Sequence, residues 1–333
     1  MPILTWSVIF IVSLAALVKG ADWLLESAEK IGLAMGLSPF IIGVTIVGMG
    51  TSFPELISSL TAVYKGANEI VAANVIGSNI ANILLIVGVS AILGKALKVT
   101  KSLIDLDLPL LAISTVLVLG IVWDRKIVMP EAILLLLTYG VYLLYTVLHK
   151  EEDIEGAEEI LPSRQDRRKH ISAPKLDAIV SSKPKIGIKD FIALALGLIG
   201  LVLGAKFLID AVIKISAILK IGTGVIAISA VAVGTSLPEL LVSAKAALAK
   251  KPEVALGNIF GSNVFNVLFI IGFSGLFRTL TVDSITFSLG TPVLALATLL
   301  FVISGISRRI HVWEGAFYLA LYTLFIAKLF KLF

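Results

Sequence analysis

The sequence predicts an all-α polytopic membrane protein, with ten transmembrane helices arranged as two inverted five-helix repeats and broken helices at the midplane. Three observations predict it. The 333 residues are 58% hydrophobic and 15% charged, with a mean hydropathy of +1.01, which excludes an ordinary soluble domain. Ten apolar stretches of about 20 residues are separated by short charged breaks, the length a helix needs to cross a bilayer. The chain also repeats itself, at a single offset of 184 residues that carries Glu55 onto Glu239.

The predicted spans are 3–28, 40–64, 69–94, 103–123 and 128–149 in the first half, then 188–216, 222–249, 253–277, 284–305 and 311–331. They are read as helices because a backbone in lipid must satisfy its own hydrogen bonds, and no segment alternates with the period of a barrel strand. The apolar start, Ile3 to Val18, has the look of a signal peptide. The offset nevertheless maps Gly20, Ala21, Leu24 and Glu26 onto Gly204, Ala205, Leu208 and Asp210. A cleaved leader would not be the counterpart of an interior segment, so the first span is expected to remain. An odd number of spans per copy places the second copy upside down. Inverted repeats with broken helices are the architecture of alternating-access transporters. The domain layout is therefore 1–149, a linker over 150–187, and 188–333.

The repeat is densest around two acids. Gly50-Thr51-Ser52-Phe53-Pro54-Glu55 returns as Gly234-Thr235-Ser236-Leu237-Pro238-Glu239. A charge at membrane depth costs roughly 2.5 kcal/mol or more on insertion scales, so an intramembrane acid marks function by default. Pro54 removes a backbone donor inside a helix, and Gly48 and Gly50 loosen the same stretch; a broken helix with freed carbonyls is expected. Those carbonyls, the hydroxyls of Thr51 and Ser52 and the Glu55 carboxylate are hard oxygens suited to Ca²⁺ and Na⁺. The second copy offers Ala232, Gly234, Thr235, Ser236 and Glu239. Downstream, Gly77-Ser78-Asn79-Ile80-Ala81-Asn82 matches Gly261-Ser262-Asn263-Val264-Phe265-Asn266. Ser and Asn four apart share a helix face, so Ser78, Asn82, Ser262 and Asn266 are candidate ligands. Asn79 and Asn263 serve equally well as interhelical glue.

Lys and Arg set the orientation. Lys30, Lys95, Lys98, Lys101, the central Arg164, Arg167, Arg168 and Lys169, Lys250, Lys251, Arg308 and Arg309 fall on one side; the other side is poorer. The richer side is expected to be cytoplasmic, with both termini outside, the linker inside, and the protein in a plasma (inner) membrane. The basic balance, pI about 9.2, then reflects orientation and anionic lipid rather than a nucleic-acid partner. The linker opens acidic at Glu151 and turns basic at Arg164. It lacks the spacing of an EF-hand and reads as a solvated connector. There is no cysteine, which excludes disulfides and thiolate metal sites.

These motifs resemble the duplicated repeats of the cation/calcium exchanger superfamily, and are most similar to its prokaryotic sodium/calcium exchangers; the resemblance spans nearly the whole chain. It implies that Glu55 and Glu239 bind Ca²⁺ and Na⁺ in competition. It also implies that Thr51, Ser52, Thr235, Ser236, Ser78 and Ser262, with the carbonyls of Gly48 and Ala232, complete the site, and that the first and sixth spans slide as a gate. The expected function is Na⁺/Ca²⁺ antiport by alternating access in the direction of Ca²⁺ extrusion, with Ca²⁺ and Na⁺ as substrates, the bilayer as surroundings, and no cofactor or obligate protein partner. Some relatives carry an acid where this chain has Asn82 or Asn266, and potassium-dependent members hold K⁺ with one; two asparagines disfavour a potassium requirement. A carboxyl group that is desolvated when empty has a raised pKa, which keeps H⁺/Ca²⁺ antiport as the alternative. A cation channel is disfavoured by the duplicated broken helices. An enzyme is disfavoured because His149, His170 and His311 lie at span ends or in the linker. Lys19, Asp22 and Glu26 are expected to pair along their own helix or snorkel.

Overall fold

The computed structural model describes residues 2–99, 107–148, 186–218 and 236–330. Within them α1 is Pro2–Ala34, α2 covers 39–51, α3 is Phe53–Tyr64, α4 is Glu69–Leu93, α5 is Leu108–Ile121 and α6 is Met129–Leu148. The second half holds α7 at Ile188–Ile218, α8 at Leu237–Leu248, α9 at Pro252–Gly275, α10 at Thr286–Ile306 and α11 at Val312–Leu329. Counting α2 and α3 as one, eight helices among the described residues are long and apolar enough to span a membrane, and Leu108–Asp124 is a shorter apolar one. The expected span 222–249 is described only from Ser236 onward.

The two most buried helices are α4 and α9, with 78% and 94% of their apolar windows inside the protein, against 17% for α1. Their sequences explain this: α9 carries Gly257, Asn258, Gly261, Ser262 and Asn263, small or amide residues that let other helices approach. The closest approach is at Gly261, where a Cβ would lie 2.1 Å from the carbonyl oxygen of Val44 on α2. The long helices α1 and α7 pair with each other through glycine; a Cβ on Gly20 would meet the Gly197 carbonyl oxygen at 2.9 Å. Their outer faces are apolar and exposed at Ile11, Val12, Ile192 and Ile199, as a lipid-facing surface requires.

Short pieces of sheet occur in an otherwise helical chain. β1 (Leu97–Lys98) pairs antiparallel with β4 (Arg309–Ile310), and β2 (Lys126–Ile127) with β3 (Leu280–Thr281). The two ladders are counterparts, each joining one half to the other. Val99 N–H donates to the Arg308 carbonyl and Val282 N–H to the Arg125 carbonyl, both at 2.9 Å.

Asp22 is not paired along its own helix as the sequence suggested. Lys245 on α8 donates to it at 2.5 Å and to the Val18 carbonyl at 2.6 Å. Lys251 pairs with Glu29, and Lys30 with Asp190 at the start of α7. These three ion pairs all join the C-terminal half of α1 to second-half elements.

Candidate functional site

The first broken helix breaks at Ser52. α2 ends at Thr51, Ser52 leaves helical geometry (φ −85°, ψ 6°), and α3 restarts at Phe53 with Pro54 in its first turn. Pro54 has no N–H for the Gly50 carbonyl, and the Ser52 N–H reaches back to the Gly48 carbonyl at 3.3 Å. Ser236 precedes α8 with nearly the same angles, φ −89° and ψ 8°, and Pro238 again sits in the first turn. Each acid therefore rides on the first turn of a helix, Glu55 on α3 and Glu239 on α8, where N–H groups and helix dipole favour negative charge.

Both acids are buried, 0% and 1% exposed, as are Thr51, Ser52, Ser78, Asn82, Ser236, Ser262 and Asn266. Several of these meet across the two halves. Ser52 Oγ donates to Glu239 Oε1 at 3.1 Å. Ser262 Oγ donates to the Gly48 carbonyl at 3.1 Å and lies 3.5 Å from Thr51 Oγ1. Gly48, Thr51, Ser52, Ser262 and Glu239 thus form one oxygen-rich cluster where α2, α8 and α9 converge. Ala232 and Thr235, the remaining predicted ligands, lie outside the described residues.

Glu239 Oε2, Ser236 Oγ, Asn266 Oδ1 and both polar atoms of Asn82 are buried without a hydrogen-bond partner. Buried polar atoms are nearly always paired, and an unpaired carboxylate oxygen in a low-dielectric interior is strongly unfavourable. Buried oxygens left unpaired within the repeated motifs are the type of ligand a hard cation takes.

The two asparagines are not equivalent. Asn266 Nδ2 donates to Asn79 Oδ1 at 3.0 Å, and Asn79 Nδ2 donates to the Asn263 carbonyl at 3.0 Å. Asn263 Nδ2 turns back onto the Ile259 carbonyl at 2.7 Å. Asn79, Asn263 and Asn266 therefore tie α4 to α9, while Asn82 keeps its whole amide free. Asn82 and Asn266 each lie in a π-helical stretch, Ala81–Ile86 and Phe265–Ile270. Such widened turns interrupt the regular ladder and recur at functional sites.

A pair of polar clips was not singled out from the sequence. Asn74 Nδ2 donates to Ser59 Oγ at 3.2 Å and to the Glu55 carbonyl at 3.4 Å. Asn258 Nδ2 donates to Ser243 Oγ at 2.8 Å and to the Glu239 carbonyl at 3.3 Å. The offset that joins Glu55 to Glu239 also joins Ser59 to Ser243, a signal present in the repeat.

The sodium/calcium exchanger protein family matches residues 5–148 and 189–331, two blocks flanking the central polar segment. The sodium/calcium exchanger MaX1 of Methanosarcina acetivorans is 35% identical over 97% of both chains. The human sodium/potassium/calcium exchanger 5 is 34% identical over 37% of this chain and 25% of its own. A solved structure of the sodium-calcium exchanger NCX_Mj superposes with a TM-score of 0.80 at 29% identity, covering 98% of this chain and 99% of that one. This polytopic chain belongs to the sodium/calcium exchanger family.

Proposed function

We propose that the protein exchanges Na⁺ for Ca²⁺ at one shared site by alternating access, and that its ordinary direction is Ca²⁺ extrusion across a plasma membrane. The observation that carries the reading is the placing of two buried acids, Glu55 and Glu239, at matched helix starts in the two halves, with a first-half hydroxyl on Glu239 and a second-half hydroxyl on the Gly48 carbonyl. Glu55, Glu239, Thr51, Ser52, Thr235, Ser236, Ser78, Ser262, Asn82 and Asn266, with the Gly48 and Ala232 carbonyls, are the ligand set. One Ca²⁺ or two Na⁺ balance the two carboxylates. An empty site carries uncompensated charge through a low-dielectric path and reorients poorly, which enforces exchange.

The proposed layout is ten spans in two inverted repeats, 1–149 and 188–333, joined by a linker at 150–187. Supporting it are the matched breaks at Ser52 and Ser236, the paired π stretches and the reciprocal ladders. Both termini are placed outside and the Lys/Arg-rich loops inside. Neutral residues at Asn82 and Asn266 make K⁺ dispensable. The test is ⁴⁵Ca²⁺ uptake into Na⁺-loaded proteoliposomes diluted into Na⁺-free medium, with and without K⁺, beside vesicles given only a proton gradient. Uptake that needs internal Na⁺ alone is expected. Uptake driven only by the proton gradient overturns the coupling ion, and uptake that requires K⁺ overturns the role given to the two asparagines.

A further inference from the structure

Asn258 is outside the ligand set, yet its amide touches both halves of the site. It is fully buried on α9. Its Nδ2 donates to Ser243 Oγ at 2.8 Å and to the Glu239 carbonyl at 3.3 Å, and its Oδ1 accepts from Thr51 Oγ1 at 3.1 Å. One group sets the polarity of this chain of bonds. A backbone carbonyl can only accept, so the NH₂ end of the amide must face Glu239, leaving the oxygen toward α2. Thr51 has one hydroxyl hydrogen, and this oxygen takes it. The other acceptors in reach are both farther: the Gly48 carbonyl at 3.4 Å, which already receives Ser262 Oγ at 3.1 Å, and Ser262 Oγ itself at 3.5 Å.

A hydroxyl binds a cation through its lone pairs, so its hydrogen must be held elsewhere. We infer that Asn258 is a positioning residue: it takes the Thr51 hydrogen, turning that hydroxyl's lone pairs to the ion, while clipping the first turn of α8 that carries Glu239. A single amide thereby couples a ligand of the first half to the acid of the second. The matching clip of Asn74 on Ser59 and the Glu55 carbonyl repeats the acid-holding part of this arrangement in the first half. The inference rests on the exchanger reading and on Thr51 as a ligand within it.

A double-mutant cycle tests it. Na⁺-driven ⁴⁵Ca²⁺ uptake is measured for the parent, Thr51→Val, Asn258→Leu and the double variant, with the Ca²⁺ KM separated from the maximal rate. Each single change should raise KM roughly tenfold, the scale of one ordinary hydrogen bond. Maximal rate should change much less. The double variant should fall clearly short of the product of the two single effects, because the amide acts in part through that hydroxyl. Asn258→Leu with the parental KM, or effects that multiply in the double variant, overturns the inference. A parent without Na⁺-driven uptake refutes the exchanger reading instead. If leucine prevents folding, judged by the melting temperature of the ion-free protein, Asn258→Ala takes its place in the same cycle.

Discussion

Ser52, on the first broken helix, donates its hydroxyl to Glu239 Oε1 of the second half at 3.1 Å. Its neighbour Thr51 reaches Asn258 and Ser262, also in the second half. The first half's hydroxyls therefore face the second half's acid, and neither repeat contains the described cluster alone. The other oxygen of Glu239 is unpaired.

Glu55→Gln and Glu239→Gln each remove one charge while keeping side-chain size. Leaving a buried ion without its counter-charge costs about 3 kcal/mol or more, so Ca²⁺ exchange should fall by at least about a hundredfold. Vesicle uptake measures the loss, and a monodisperse gel-filtration profile shows that the fold survives. Near-normal flux in either variant contradicts the assignment.

Asn82 and Asn266 should part company on truncation. Asn266→Ala strips Asn79 Oδ1 of its donor, leaving a buried acceptor unsatisfied at about 1–3 kcal/mol; the ion-free melting temperature should drop. Asn82→Ala removes an amide that bonds to nothing else, so that temperature should hold while ion affinity weakens. Equal thermal losses in the two would refute the asymmetry.

Gly261→Ala should be among the most damaging single-methyl changes. Its Cβ would lie 2.1 Å from the Val44 carbonyl oxygen and 2.7 Å from Val44 Cα, backbone atoms that cannot step aside singly. Overpacking of this kind costs typically 1–3 kcal/mol. It would also separate Ser262 from the Gly48 carbonyl. Loss of both thermal stability and uptake is expected; unchanged uptake would show that α2 and α9 can move apart freely.

The ion pairs of α1 lead to a kinetic prediction. Lys245→Gln and Lys251→Gln release Asp22 and Glu29, at the cytoplasmic end in the proposed topology. Partly exposed pairs are worth about 0.2–1 kcal/mol each. The double variant should change the maximal exchange rate severalfold and leave the Ca²⁺ KM alone. A shift in KM with constant maximal rate would place these pairs in ion binding rather than in holding α1.

The helices and the acids were legible in the sequence because their signals are strong and local: long apolar runs, and a motif repeated without a gap from Gly50 to Glu55. Proline and glycine around Ser52 announced the break. The π turns around Asn82 and Asn266 were not legible, since an extra residue per turn has no residue-type signature. Nor were the partners of Asp22 and Glu29. A helix offers neighbours at i+4 by default, and only the packing of α1 against α8 and the turn that follows it replaces them with Lys245 and Lys251. The Asn258 bridge was hidden for the same reason: its contacts with Thr51 and Glu239 depend on how the two halves meet.

Equilibrium ⁴⁵Ca²⁺ binding to the purified protein, titrated with Na⁺, tests the shared site most directly when parent, Glu55→Gln and Glu239→Gln are compared. Na⁺ should displace Ca²⁺ from the parent competitively and with a steepness of more than one ion, and both variants should bind Ca²⁺ at least about a hundredfold more weakly. Ca²⁺ binding that Na⁺ cannot displace, or that survives the loss of either acid, would contradict the account.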